Sequence, residues 1–191
     1  MLPESLEKIV NAADYVDYDF RIKKIDFSTG TSKVEFAIHD TEGSNEQTIV
    51  LMTISNNVDY FIAKDDFSVF SNFQNDHPLL WRFSDTQCEL YTTGQTNSIK
   101  ELFFDLYTIH HSLFGSYLAL DPRILSILEN GHGLFQKGSK KLLKMYAQKL
   151  NEYGIKTSVI GGYPGSLANT KILFLGGSYF IGTDYKFEVI E

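Results

Sequence analysis

Residues 98–115, Ser-Ile-Lys-Glu-Leu-Phe-Phe-Asp-Leu-Tyr-Thr-Ile-His-His-Ser-Leu-Phe-Gly, constrain this chain more than any other stretch. Ile99, Leu102, Phe103, Leu106, His110, Leu113 and Phe114 recur at the three-and-four spacing that lines one face of a helix. Ser98 and Glu101 have capping-box spacing, in which each side chain satisfies a free backbone N–H of the first turn. Gly115 ends the pattern with the residue that turns left-handed without strain. Such a helix has to bury its apolar stripe, and strand-like sequence lies on both sides of it. The expectation is an α+β fold: a mainly antiparallel sheet, made of an N-terminal meander and C-terminal strands, packed against about three helices.

The strand signal is clearest at residues 33–39, where Val34, Phe36 and Ile38 alternate with Lys33, Glu35 and His39. Turn-forming clusters flank it at 28–32 and 41–45. Residues 47–54 are apolar on both faces, as in a central strand, and Asn56-Asn57 leads into 58–63. Connections this short require antiparallel neighbours. Residues 64–78 read as a long loop, with further strands at 79–83 and 86–92. Short helices are predicted at 3–13 and from Asp121-Pro122 to about 130, and a longer one at 139–153. Strands are predicted at 155–160, 171–175, 179–181 and 185–190, with Gly-rich breaks at 161–165 and 176–177. One domain over 1–191 is expected, because the meander needs a helix to cover its apolar face. A weak sub-boundary is placed near Gly94.

Charge narrows the function classes. Net charge is −7, which disfavours nonspecific nucleic-acid binding and anionic membranes, both of which need Lys and Arg. A basic protein partner suits it better, since opposite charge speeds encounter. A homodimer is left open. Cys88 is the only cysteine, so neither an internal disulfide nor a multi-cysteine zinc site is expected. No signal-peptide pattern or membrane-length apolar run occurs, and the expected location is the cytoplasm.

Candidate chemistry is sparse. Adjacent helical residues point about 100° apart, so His110 and His111 do not share a ligand. His110 lies on the apolar stripe and reads as a core histidine bonded to a backbone carbonyl. The alternative is a small-molecule-binding or hydrolase-like site gathering His110, His132 and Lys137. Glu101 and Asp105 lack a histidine at metal-ligand spacing, so no metal and no cofactor are expected. Residues 133–141, Gly-Leu-Phe-Gln-Lys-Gly-Ser-Lys-Lys, have the glycine spacing of a phosphate loop. However, Ser139 precedes Lys140, the reverse of the motif, and a helix is expected to lead in rather than a strand. A weak anion site at Lys137, Lys140 and Lys141 is what remains. Cys88 reads as core filling, and no Gly-x-Ser-x-Gly elbow occurs.

The function expected is a non-catalytic, cytoplasmic protein-binding module, in concrete form an immunity- or antitoxin-like inhibitor of a basic partner. Its docking residues are assigned to Tyr15, Asp17, Tyr18, Asp19, Asp65 and Asp66, the acidic and tyrosine-rich stretches of the first third.

Overall fold

The computed structural model describes residues 2–14, 17–28, 30–41, 47–63, 71–167 and 169–190. In chain order, the first elements are α1 (Glu4–Ala13), β1 (Tyr18–Ser28), β2 (Thr31–Asp40), β3 (Gln47–Ser55), β4 (Asp59–Phe61) and β5 (Ser71–Gln74). A 3-10 turn (Pro78–Leu80) runs into α2 (Trp81–Ser84), followed by β6 (Gln87–Thr93), α3 (Ile99–Phe114), α4 (Arg123–Asn130), β7 (His132–Ser139), α5 (Lys140–Glu152) and β8 (Lys156–Tyr163). β9 (Lys171–Leu175), β10 (Ser178–Gly182) and β11 (Asp184–Val189) close the chain. The fold is α+β with antiparallel sheets, as the alternation of signals predicts. Two compact units divide it: Met1–His77 with Asn169–Glu191, and Pro78–Ala168.

In the first unit, one sheet has the order β1-β2-β3-β11 and the other β4-β10-β9-β5. The alternation at 33–39 does what its period demands. Val34, Phe36 and Ile38 are fully buried, and Phe36 pairs opposite Val50, Val34 opposite Met52. They join Leu6 and Val10 of α1, Phe20, Ile54, Leu173, Leu175, Phe180 and Phe187 in one core. Within this unit, helical cover for the meander comes from α1.

The meander is also shorter than predicted. Asn56 takes a left-handed φ of 47° after β3, and the Val58 N–H bonds the Ile181 carbonyl. β4 therefore pairs with β10 in the second sheet, and β11 takes the place beside β3. Gly182 allows the crossover: a Cβ there would clash with the Ile54 side chain.

In the second unit, β6 is the centre of a three-stranded sheet with the order β7-β6-β8. Cys88, Leu90 and Thr92 alternate inward along it. α5 packs on all three strands through a buried stripe that includes Leu143, Tyr146 and Leu150, and α3 packs on α5.

Local predictions fail here in instructive ways. Ser98 precedes α3 but makes no side-chain cap, its backbone lying at φ −102° and ψ 45° outside the extended geometry a cap needs. Residues 79–83 are helical, not extended: Pro78 sets the first turn, and Ser84 Oγ bonds the Leu80 carbonyl at 3.0 Å. The expected helix–helix connection at 131–138 is mostly strand β7, with β6 supplying the ladder partner. β8 runs on through Gly161 and Gly162, which form a bulge opposite β6 instead of a break.

Candidate functional site

The wall of one cavity in the second unit holds two of the sequence-derived candidates. Its volume is about 200 Å³, and its lining includes Leu79, Trp81, Phe114, Leu142 and Tyr146 together with His110 and Lys137. α3 brings His110 inward on its apolar stripe, 6% exposed. Its Nε2 lies 2.9 Å from the Leu118 carbonyl, and its Nδ1 lies 2.5 Å from the Tyr146 hydroxyl. A carbonyl can only accept, so Nε2 carries the proton and Nδ1 accepts from the tyrosine. Burial lowers the pKa of His110, with the Leu118 hydrogen bond opposing and the neighbouring His111 assisting. Burial likewise raises the pKa of Tyr146. Both ring nitrogens are used, so the imidazole has no lone pair or proton left for general acid–base work. It ties α3, the loop after it and α5 together.

His132 does not join this wall. It lies exposed at the start of β7, its Nδ1 3.2 Å from the Asn130 carbonyl. His111 is exposed and stacks on Tyr107, 5.7 Å between ring centres.

The anion site of Lys137, Lys140 and Lys141 meets a strong internal competitor. A strand leads into α5, contrary to the sequence expectation, but Gly133 to Gly138 lie in its ladder and do not form a loop of converging amides. The first amides of α5 already have acceptors. Lys140 N–H bonds Thr86 O at 2.8 Å, Lys141 N–H bonds an Asp85 carboxylate oxygen at 2.9 Å, and Leu142 N–H bonds Ser139 Oγ at 3.2 Å. Asp85 thus stands where a bound anion would stand. The Lys137 ammonium pairs with Glu89, which holds the Glu89 carboxyl below its usual range. Lys141 lies over the Trp81 ring, 5.4 Å from its centre.

The predicted docking residues are scattered. Tyr15, Asp65 and Asp66 lie outside the described residues. Asp17 is exposed and bonds the Tyr18 N–H; Tyr18 is half-buried, edge-on to Phe20. Asp19 is turned in beside Arg21, 3.4 Å from it, with a buried Oδ1 that has no hydrogen-bond partner among the described residues. An outward-facing acidic patch needs its carboxylate in water, so burial removes Asp19 from that set.

A surface that the sequence reading missed is β8. It ends its sheet, it is exposed over nearly its whole length, and Ile160 and Tyr163 are 54% and 74% exposed. Val159 is exposed as well. The signal was present: Lys156 is the only charge in Lys-Thr-Ser-Val-Ile-Gly-Gly-Tyr, where an exposed edge ordinarily carries several. α3 also turns Phe104 and Tyr107 outward.

The structure is an α+β fold with β8 at the edge of its sheet among the described residues and a small, mainly apolar cavity in the second unit. Among known proteins, no family model, no curated protein and no solved structure matches the chain. Among the described residues, no helix is long and apolar enough to cross a membrane, and no group of three His, Cys, Asp or Glu side chains is placed to hold a metal ion.

Proposed function

We propose that this chain is a non-catalytic protein-binding module that takes an extended segment of a basic partner along β8. The observation that carries the reading is the β8 edge itself, a ladder with Val159, Ile160 and Tyr163 exposed and a single charge at one end. A sheet edge supplies main-chain hydrogen bonds to an added strand, and alternate side chains supply specificity. The net charge of −7, whose acidic excess lies in residues 1–77 and 169–191, favours a basic partner and speeds its approach to the chain at low salt. An immunity- or antitoxin-like inhibitor, working in the cytoplasm by covering a basic enzyme's surface, is the concrete form this charge favours. The hydrolase-like reading loses its base, because both nitrogens of His110 are engaged.

The test pairs the wild-type chain with Ile160→Lys and, as a control on α4, Leu125→Lys. Each tagged protein is used for capture from the native host at low and moderate salt. The reading predicts one stoichiometric basic partner, weakened by salt, kept by the control and lost by Ile160→Lys. Equal retention by all three proteins would contradict it, as would an empty lane at every salt concentration.

A further inference from the structure

We infer that the second unit's cavity is a binding site for a small, neutral, apolar molecule about the size of a benzene ring. This goes beyond protein docking at β8 and does not rest on it. A dry apolar cavity of roughly 150 Å³ is enough to take benzene. The cavity here, about 200 Å³, has room for one ring and a small substituent, but not for a nucleotide. Its wall suits that ring: Leu79, Leu118 and Leu142 supply aliphatic surface, and the rings of Trp81 and Phe114 supply aromatic surface.

The polar side chains of the wall decide the ligand's charge, because the protein already uses them. His110 accepts from the Tyr146 hydroxyl at Nδ1 and donates to the Leu118 carbonyl at Nε2. Ser139 Oγ accepts the Leu142 N–H, and Gln136 Nε2 donates to the Lys137 carbonyl at 3.1 Å. The charges are engaged as well. Asp121 is gripped by the Arg123 guanidinium through both of its oxygens, and the Lys137 ammonium is paired with Glu89. Arg82 lies over the Phe83 ring, 4.8 Å from its centre. The Trp81 indole N–H is fully buried, so Trp81 offers a ligand its ring and not its donor. A charged ligand would give up its hydration here with no ion pair to replace it. A neutral apolar one gives up no such bonds and gains by leaving water.

Trp81 is the only tryptophan in the chain, so its fluorescence reports on this wall alone. The experiment titrates the full chain with toluene, benzoate and benzylamine, following that fluorescence and the thermal midpoint. The inference predicts saturable toluene binding that raises the midpoint, as a ligand of the folded state must. It predicts benzoate and benzylamine each weaker than toluene by about tenfold or more, the loss an unpaired charge imposes. It also predicts that toluene affinity changes by less than about twofold between low and moderate salt, since no ion pair forms. Leu142→Phe puts a ring where the ligand sits: it should keep the midpoint of the free chain, because the space is empty, and weaken toluene at least about tenfold. If that variant does not fold, Leu118→Phe, at a half-buried position of the wall, carries the same expectation. Either charged probe binding as tightly as toluene would overturn the inference. So would toluene affinity unchanged in the folded filling variant, or no saturable binding of toluene up to its solubility limit. Each of these results leaves the β8 reading untouched, because that reading is scored on a retained protein.

Discussion

The edge strands of the first unit and β8, one of the two edge strands of the second, are built to opposite rules. In the first unit, β1 carries Asp19, Arg21, Lys23, Lys24 and Asp26, with a register shift between Ile22 and Lys24. β11 carries Asp184, Lys186 and Glu188, and the other sheet ends in β4 and β5, only three and four residues long. Charge, bulges and shortness are the devices by which edges avoid unwanted pairing. β8 in the second unit has eight residues and one charge, and apart from the Gly161–Gly162 bulge it uses none of them. The contrast teaches where to look for a partner. A chain that blunts the edges of one unit and leaves an apolar edge in the other is open to strand addition at that edge.

The largest expected effects lie inside the cores, away from any docking surface. Phe180→Ala should cost about 3–5 kcal/mol in urea unfolding, since the ring is fully buried among residues of both first-unit sheets. In the second unit, His110→Ala should cost about 3 kcal/mol by stranding the Tyr146 hydroxyl and the Leu118 carbonyl. Tyr146→Phe, which strands only Nδ1, should cost about 1–2 kcal/mol. If His110→Ala left stability unchanged, the histidine would not be the tie that its geometry describes.

Acid acts on both units with the same sign. Burial lowers the pKa of His39, with Arg21 assisting, and burial lowers those of His77 and His110. The unfolded chain therefore takes up these protons first. Stability is retained above the ordinary histidine value of 6.5 and falls as the pH drops through it toward the lower folded-state values. Urea midpoints should decrease from neutral pH to about pH 5, and His110→Ala should show a shallower decrease. A flat profile in the wild-type chain would contradict this account.

The smallest expected effect on stability sharpens the comparison most. Ile160→Lys should shift stability by no more than about 0.5 kcal/mol, because more than half of the residue's surface is already exposed. The same exchange at Ile54, fully buried in the first unit, should prevent folding.

The legibility of the sequence followed the physics of each element. Period-two alternation identified β2, and the three-and-four stripe identified α3 with its Gly115 stop, since both patterns follow from burying one face. The helical run at 79–83 was illegible because five mostly apolar residues fit either period. β7 was hidden because its glycines resemble a loop until β6 is known to lie beside it. His110 could be read as a core residue, but its partners could not: Tyr146 lies thirty-six residues away. The cavity was beyond reach for the same reason, as its wall draws on residues from Pro78 to Tyr146.

The most direct test of the account is hydrogen–deuterium exchange over residues 156–163, in the free chain and in complex with the protein it retains. The account predicts outward-facing amides of β8 that exchange quickly in the free chain and become protected in the complex, with Ile160→Lys abolishing the protection. Unchanged exchange across 156–163, with protection confined to another surface such as the exposed Phe104 and Tyr107 of α3, would contradict it.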